Sequence, residues 1–397
     1  MMKKTFLLSL ITLSFLQISR AQLPNVFLIS PQHIAAQKAK YKQGDATVAK
    51  EVAVVIDRAD KVLPEKPHSV MDKAKTPPSG SKHDYMSLAP YFWPDPAKPD
   101  GRPYIRKDGE HNPETKTISD HEYLSELEER CKYLSLAYYF TGDEKYAAKM
   151  KELLAVWFLN PDTRMNPNLT YAQAVLGVND GRGIGIIESR SLAWLADWMG
   201  LLAGSKSFTT ADLNIIKDWY KQYLVWLRTS KNGNDEHNAK NNHGIHYDTQ
   251  TIDYALFTGD VALAKELATA SLKRVPVQIE PDGQEPLELA RTNAYGYSTF
   301  NIAAWYNVSL LAERAGIDIW NYSTADGRSI HKALDYLIPY ALDDKPKERQ
   351  QISPYNKGEM YPLLVLAGQK YKDASYTKRA EAFPKNDSVL ITDLLYN

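Results

Sequence analysis

The stretch KNNHGIHYDTQ, residues 240–250, brings amide, imidazole and carboxylate side chains together within a few positions. Three interpretations fit these residue types: part of an acid–base site, part of a metal site, or the polar start of a helix. Asn241 is of a type that is favoured at a helix N-cap. His243 and His246 are three residues apart, so they would share one face of a helix that begins here.

A metal site would draw on His237, His243 and His246 together with Asp248. The sequence has no H-E-x-x-H motif and only one cysteine, so the usual zinc-ligand patterns are missing from it. The motifs therefore do not favour a metal centre, and we predict neither a metal nor another cofactor.

Elimination on a uronate polymer uses the same residue types. The C5 proton is poorly acidic beside an ionised carboxylate, so the enzyme has to neutralise that charge, and amides or arginines can do so. It also needs a base for the C5 proton and an acid for the departing O4. Asn242, His243, Arg291 and Tyr297 are of the right types. The first pair is far from the second in the chain, so the two pairs meet only in a fold that closes on itself.

Each of these residues also has a purely structural interpretation. Asn241 and Asn242 are candidate helix caps, and a single histidine near a helix start is more often a hydrogen-bonding residue than a catalyst. Arg291 is placed to pair with Glu288, and Tyr297 is one of 25 tyrosines. The elimination hypothesis rests on the combination of these residues in one chain.

Composition limits the classes of function. Lys and Arg total 48, and so do Asp and Glu, so the net charge gives no reason to expect binding to nucleic acid or to a membrane surface. A local basic cleft is still compatible with a neutral total. Aromatic residues make up 11% of the chain, and such rings suit sugar stacking as well as helix packing.

The first residues have the pattern of an export signal. A basic MMKK precedes an apolar stretch that is too short to span a membrane, and small residues precede Gln22. We predict a signal peptide over residues 1–21, cleaved after Ala21, and a mature domain over residues 22–397 that is periplasmic or secreted. The one cysteine, Cys131, lies in a helical pattern and is predicted to be a buried small hydrophobe.

The rest of the pattern is helical. Apolar residues recur at three- and four-residue spacing from about Pro31 to Leu63 and, in helix after helix, from Asp120 onward. Residues 64–118 instead form a long loop rich in Pro, Gly and charge, and such loops are often functional. The pattern predicts an all-α single domain of six to seven helical hairpins, closed as an (α/α) toroid or open as a solenoid. The toroid is favoured because it gathers its loops around a cleft.

Four polar segments interrupt the helices, and a toroid would bring them to one end. They are, in chain order, residues 82–96, 165–190, 236–250 and 285–301. The second segment contains Gly181, Gly183 and Gly185, but this spacing is not the dinucleotide-binding fingerprint and no strand precedes it. We interpret it as a tight turn that directs Arg182 and Arg190 inward, where arginine can bind a carboxylate.

The chain resembles the alginate lyase superfamily of α/α-toroid polysaccharide lyases in four blocks: HDYMSLAPYFWPDP, MNPNLTYAQAVLGVNDGRGIGIIESR, NNHGIHYDTQ and ELARTNAYGYSTFN. The length, the block order and the lack of a predicted β-rich domain are similar to polysaccharide lyase family 38 and, more distantly, to family 5. The resemblance covers roughly residues 45–370. It implies a toroid, a lyase without a cofactor, and an anionic uronate polysaccharide as the partner.

The resemblance also implies roles for single residues. Asn242 is similar to the amide that neutralises the carboxylate, His243 to the catalytic histidine, Tyr297 to the catalytic tyrosine, and Arg291 to an arginine beside it. The predicted substrate contacts are His83, Tyr85, Tyr91, Trp93, Gln173, Arg182 and Asn241.

Two points stay open at this stage. The spacing from Arg291 to Tyr297 is one residue shorter than in the family 5 pattern, so Tyr295 is an alternative catalytic tyrosine, although the Tyr-Ser pair favours Tyr297. If the C5 proton and O4 leave from the same side, Tyr297 serves as base and acid; otherwise His243 is the base. A tyrosine base needs a pKa below its ordinary value of about 10, and Arg291 is placed to lower it.

We therefore predict a polysaccharide lyase that cleaves a 1,4-linked uronate polymer, alginate before any other, and leaves a 4,5-unsaturated uronate end. The alternatives are a glucuronan lyase of the same fold, a hydrolase that uses a metal or a carboxylate pair such as Glu236 and Asp248, and a non-catalytic polysaccharide-binding protein.

Overall fold

The computed structural model describes residues 23–397, and the predicted leader, residues 1–21, lies outside the described residues. No helix of the described part is both long and apolar enough to cross a membrane. The helices are α1 (Pro31–Lys42), α2 (Ala46–Val62), α3 (Asp120–Thr141), α4 (Glu144–Leu154), α5 (Ser191–Gly200), α6 (Thr210–Thr229), α7 (Lys231–His237), α8 (Asn242–Thr258), α9 (Val261–Ser271), α10 (Val275–Gln278), α11 (Pro286–Leu289), α12 (Ala294–Arg314), α13 (Ile330–Ala341), α14 (Met360–Tyr371), α15 (Ala374–Glu381) and α16 (Asp387–Tyr396).

The helices close into a ring. Neighbours in sequence pack against each other, as α3 does with α4, α8 with α9, and α14 with α15. The last helix, α16, packs against both α1 and α2, so the two ends of the described chain meet. The predicted all-α toroid is confirmed, and the open solenoid is excluded.

The first predicted helix is in fact two helices. The chain turns at Gly44, whose φ of +82° lies in the left-handed region that favours glycine. Asp45 then caps α2, because its carboxylate accepts hydrogen bonds from the backbone N–H groups of Thr47 and Val48. The Gly44–Asp45 pair is a local signal for such a break, which the apolar periodicity alone does not show.

Helix α8 lies deep in the toroid and carries half of the predicted site. Its residues 244–257 are all buried, and it packs against α5, α6, α9 and α12. A helix that is buried all round has to be enclosed by other elements. Asn242 and His243 stand at its start, and Tyr297 stands in the first turn of its neighbour α12.

Two small two-stranded sheets hold the long loop in place. Strand β1 (Met86–Leu88) pairs in parallel with β4 (Tyr171–Ala174), and β2 (Phe92–Trp93) pairs antiparallel with β3 (Ile105–Arg106). A buried ion pair between Lys73 and Asp120, at 2.9 Å, ties the loop to α3. The same helix contains Cys131, which is fully buried, as predicted.

Candidate active site

The four polar segments meet at one cleft of about 620 Å³. Residues from 106–118 of the long loop and the first turn of α3 complete its wall. The predicted site residues that line it are Tyr91, Gln173, Arg182, Asn241, Asn242, His243, Arg291 and Tyr297. The closed ring therefore brings together side chains from all four segments, as the toroid hypothesis requires.

The cleft is basic although the chain as a whole is neutral. Its lining contains five Arg or Lys side chains but only two carboxylates: Arg106, Lys116, Arg182, Arg190 and Arg291, against Glu122 and Glu188. A concave surface of one charge sign concentrates a ligand of the opposite sign. This arrangement suits an anionic polymer. Composition did not reveal it, because net charge carries no information about distribution.

His243 is held by a buried carboxylate. Its Nδ1 lies 2.7 Å from Oε1 of Glu236, whose side chain is 1% exposed. A carboxylate accepts hydrogen bonds, so Nδ1 is the donor in this contact and Nε2 is the ring nitrogen that remains for proton transfer. The sequence suggested Glu236 only as half of a hydrolase pair; its place behind the histidine emerges from the packing of α7 beside α8.

Asn242 is bonded to a second buried glutamate. Its backbone N–H and its side-chain Nδ2 donate to the two carboxylate oxygens of Glu288, each at 2.7 Å. Glu288 is therefore a partner of Asn242, and the predicted structural pairing of Arg291 with Glu288 is wrong.

Arg291 is clamped by a residue that the sequence did not single out. Its Nε and Nη2 donate to both carboxylate oxygens of Asp108, with a shortest distance of 2.7 Å. Burial opposes ionisation of Asp108, but the hydrogen bonds and charge of Arg291 hold the pKa of this carboxyl well below its usual range. The guanidinium carbon of Arg291 also lies 3.7 Å from the ring centroid of Tyr297. Arg291 therefore contacts Asp108 through hydrogen bonds and Tyr297 through its ring face.

Tyr297 is a hydrogen-bond donor with a raised pKa. Its hydroxyl donates to the hydroxyl of Tyr91 at 2.7 Å. Burial and then this hydrogen bond raise the pKa of Tyr297 above its ordinary value, and the lowering effect of Arg291 is outweighed. The expectation that Arg291 brings the pKa of Tyr297 below its ordinary value is therefore wrong. The phenol is arranged to donate a proton.

Tyr295, the alternative tyrosine, faces away from the cleft. It is 1% exposed, and its hydroxyl accepts hydrogen bonds from the backbone N–H groups of Glu348 and Arg349. Residues two positions apart on a helix point to different sides, so only one of the two tyrosines faces the cleft. The sequence spacing alone does not tell which one.

The glycine-rich segment forms the tight turn that the sequence predicts. A Cβ on Gly181 would lie 2.1 Å from the carbonyl oxygen of Thr170, so the close approach requires glycine. Arg182 then reaches back, and its Nη2 donates to Oε1 of Gln173 at 2.9 Å. Gln173 itself has a φ of 50°, a left-handed conformation that is uncommon outside glycine. This segment places two predicted substrate contacts side by side.

Three other predicted contacts are engaged elsewhere and do not line the cleft. Tyr85 is fully buried, and its hydroxyl donates to Glu188 at 2.8 Å, so it supports the cleft wall from behind. His83 contacts the carbonyl oxygen of Arg164, and Trp93 donates to the carbonyl oxygen of Glu110. Neither residue lines the cleft, although Trp93 adjoins Phe92, which does.

Asn241 occupies the N-cap position of α8, but its side chain makes no capping hydrogen bond. The residue is half-buried and lines the cleft. The cap interpretation is therefore correct for its position and wrong for its side chain, which leaves the amide available to a ligand.

The residues of the metal and hydrolase hypotheses have separate environments. Arg274 forms a bidentate pair with Asp248, at 2.6 and 2.9 Å, and contacts His237. His246 is buried against the ring of Phe300. Across residues 23–397, no group of three or more His, Cys, Asp or Glu side chains is placed to share a metal ion. Asp248 does not line the cleft, so the carboxylate pair of a hydrolase is not assembled there.

Fold and site together define a helical-toroid enzyme with acid–base groups in a basic cleft. The chain belongs to the alginate lyase family, whose model, described as "Alginate lyase", matches residues 69–347. Its structure is similar to the crystal structure of an alginate lyase from Bacteroides ovatus, with 41% sequence identity and a TM-score of 0.90 over 94% of this chain and 100% of that one.

More distant structures share the fold. Alginate lyase A1-III from a Sphingomonas species is 16% identical, with a TM-score of 0.56 over 94% of this chain and 96% of that one. A variant of A1-III in complex with a tetrasaccharide is 16% identical, with a TM-score of 0.61 over 96% of this chain and 97% of that one. The comparison with curated protein sequences finds no significant match.

Proposed function

We propose that the protein is a polysaccharide lyase that cleaves a 1,4-linked uronate polymer by β-elimination and leaves a 4,5-unsaturated uronate end. Alginate is the first substrate, since the chain belongs to the alginate lyase family and resembles the Bacteroides ovatus enzyme. One observation carries the proposal: His243, with Nδ1 fixed on Glu236, and the protonated Tyr297 lie in the same basic cleft.

The geometry suits a division of labour between these two side chains. His243 takes the C5 proton on Nε2, the electron pair forms the C4–C5 double bond, and O4 leaves with the proton of Tyr297. The amide of Asn242 and the guanidinium of Arg291 stabilise the negative charge that develops at the carboxylate. Where O4 and the C5 proton lie on the same side, Tyr297 has to serve both steps, and its raised pKa makes that route the more demanding one.

The setting of the reaction follows from the N-terminal pattern. We propose that residues 1–21 are removed and that residues 22–397 act in the periplasm or outside the cell. Asn241, Tyr91, Gln173 and Arg182 would then contact the polysaccharide along the cleft, with His83 and Trp93 further out on the long loop.

A panel of uronate polymers tests the proposal. Polymannuronate, polyguluronate and glucuronan are each incubated with the protein, and the ultraviolet absorbance of the new conjugated double bond is followed. We expect Tyr297→Phe and His243→Ala to lower kcat by about 100-fold or more, while Tyr295→Phe keeps activity within a few-fold of the parent. Substantial activity in Tyr297→Phe would overturn the assignment.

The same panel separates the alternatives. Shorter chains without new absorbance would indicate a hydrolase, and binding without any cleavage would indicate a carbohydrate-binding protein. Absorbance with glucuronan alone would move the substrate from alginate to glucuronan within the same mechanism.

A further inference from the structure

The two halves of the cleft are joined by one buried side chain. Glu288 lies on the short helix α11, three residues before Arg291, and is 2% exposed. It reaches the start of α8, where its two carboxylate oxygens accept hydrogen bonds from the backbone and the side chain of Asn242. These two bonds span 46 positions of sequence.

The first of these bonds replaces a missing helix cap. The first backbone N–H groups of an α-helix need acceptors from outside the helix. Asn241 is the N-cap residue of α8, yet its side chain makes no capping bond. Oε1 of Glu288 accepts the N–H of Asn242 instead, and a carboxylate at this end also complements the helix dipole. His243, the next residue, is held in place by the same turn.

The second bond fixes the orientation of the Asn242 amide. Oε2 of Glu288 accepts a hydrogen bond from Nδ2 of Asn242, so the carboxyl group pairs with the NH₂ group of Asn242 rather than with its carbonyl. One hydrogen of Nδ2 is bonded to Glu288, and the other remains available to a ligand. The carbonyl oxygen Oδ1 is buried and has no partner among the described residues. Because Oδ1 makes no hydrogen bond, only the bond from Nδ2 to Glu288 fixes the orientation of the Asn242 amide.

We propose that Glu288 is a positioning residue that holds the Asn242–His243 half of the cleft in register with the Arg291–Tyr297 half. The inference rests on the proposed lyase function for its kinetic consequence but not for its structural one. Glu288 does not line the cleft, so it acts through Asn242 and not on the substrate.

The chain offers a matched control in Glu285. This glutamate lies three residues earlier, is 3% exposed, and accepts a hydrogen bond from Asn301 at 2.6 Å instead of from a site residue. Replacing it removes a buried carboxylate from the same segment without touching Asn242.

Glu288→Gln tests the orientation. Glutamine keeps the shape, but its NH₂ group meets the NH₂ group of Asn242, so the Asn242 amide has to invert. We expect kcat on the preferred polymer to fall about 10- to 100-fold with KM within about threefold, because charge neutralisation counts most in the transition state. Glu285→Gln is expected to keep kcat within about threefold. In an Asn242→Ala background, Glu288→Gln is expected to cause no further loss beyond about twofold.

Hydrogen exchange provides a readout that needs no activity. In Glu288→Ala, peptides that cover residues 240–248 are expected to exchange faster than in the parent, whereas Glu285→Ala leaves them unchanged. Unchanged exchange in Glu288→Ala would overturn the proposal, and so would additive losses in the Asn242→Ala background. If the parent protein forms no unsaturated product at all, the lyase function fails, and the exchange data alone decide the place of Glu288.

Discussion

Each of the two proposed proton-transfer groups is bonded to one internal partner, and that partner limits what the group can do. Glu236 fixes the hydrogen of His243 on Nδ1, and Tyr91 accepts the hydroxyl hydrogen of Tyr297. The first contact leaves a free basic nitrogen, and the second keeps a phenol neutral. In the proposed mechanism the pair is therefore set as base and acid before any substrate binds.

The contact between Tyr91 and Tyr297 leads to a prediction about pH dependence. Because Tyr297 donates to Tyr91, the bond favours the neutral phenol and contributes to its raised pKa. In Tyr91→Phe this contribution is lost, so the pKa of Tyr297 falls. We expect the alkaline limb of the kcat/KM profile to move to lower pH. Profiles of the parent and the variant measure this shift.

Tyr104→Phe is the matched control for this change. Tyr104 lies on the same loop, and its hydroxyl donates to Glu114 outside the active-site cleft. Its profile should follow that of the parent. An alkaline limb that stays in place in Tyr91→Phe, or moves to higher pH, would show that Tyr297 is not the acid.

At this scale the sequence singled out the proposed reacting groups but not their partners. Asn242, His243, Arg291 and Tyr297 stand out because their types match the chemistry. Asp108 does not stand out, because nothing in the sequence distinguishes it from the other charged residues of the loop. Its role is visible only in the folded chain, where it pairs with Arg291. The pKa of a tyrosine depends on burial and on neighbours from distant segments, so its direction was also predicted wrongly.

Among the elements, helix α12 depends on a distant segment for its first turn. Its N-cap residue, Asn293, makes no side-chain capping bond. Oε1 of Gln351 accepts the backbone N–H groups of Tyr295 and Gly296 instead, at 3.1 and 3.4 Å. Tyr297 stands in this turn, so Gln351 supports the position of the proposed catalytic tyrosine.

Replacing this cap should affect both stability and activity. Gln351→Ala is expected to lower the free energy of unfolding by about 1 kcal/mol, the usual cost of losing a cap. We also expect kcat to fall several-fold, because the turn that carries Tyr297 loosens. Thermal unfolding and the ultraviolet assay measure the two effects.

The neighbouring Gln350→Ala is the control, because the side chain of Gln350 is exposed. It should change neither quantity. Equal behaviour of the two alanine variants would exclude a capping role for Gln351.

The helices themselves were largely readable from apolar spacing, whereas their ends were less so. The starts at Thr209 and Asp260 are capped as their residue types indicate. The caps of α8 and α12 come from Glu288 and Gln351, far away in sequence. Local sequence contains no signal for caps that are supplied from so far along the chain.

For the whole molecule, ring closure buries an acidic residue. Glu51 on α2 is 5% exposed where α2 packs against α16. Burial and then the charge of Asp393 raise the pKa of Glu51 to about 7. A folded-state pKa above the unfolded value means that the folded state binds the proton more tightly. The associated stability is present at acidic pH and is lost as pH rises through about 7.

Glu51→Gln should therefore flatten the pH dependence of stability. The parent is expected to lose at least about 1 kcal/mol of unfolding free energy between pH 5 and pH 8 through this group. The variant should lose less. Urea unfolding at several pH values measures the difference, with the exposed Asp57→Asn as a control of equal charge change. A slope that is the same in Glu51→Gln and the parent would contradict this account of the closure.

The toroid was predictable because helical periodicity without strands leaves few architectures for so long a chain. The basic cleft was not. Its charge depends on which of the 48 Lys and Arg and the 48 Asp and Glu side chains line the cleft, and this is decided only by the folded structure.

The central claim is that the bond is broken by elimination and not by water. The most direct test cleaves a defined uronate oligosaccharide in water enriched in oxygen-18 and weighs both products by mass spectrometry. Elimination predicts that the product masses add up to that of the starting oligosaccharide, with no oxygen-18 in either fragment. Products that together gain one water, with oxygen-18 at the new reducing end, would show hydrolysis and contradict the proposed roles of His243 and Tyr297.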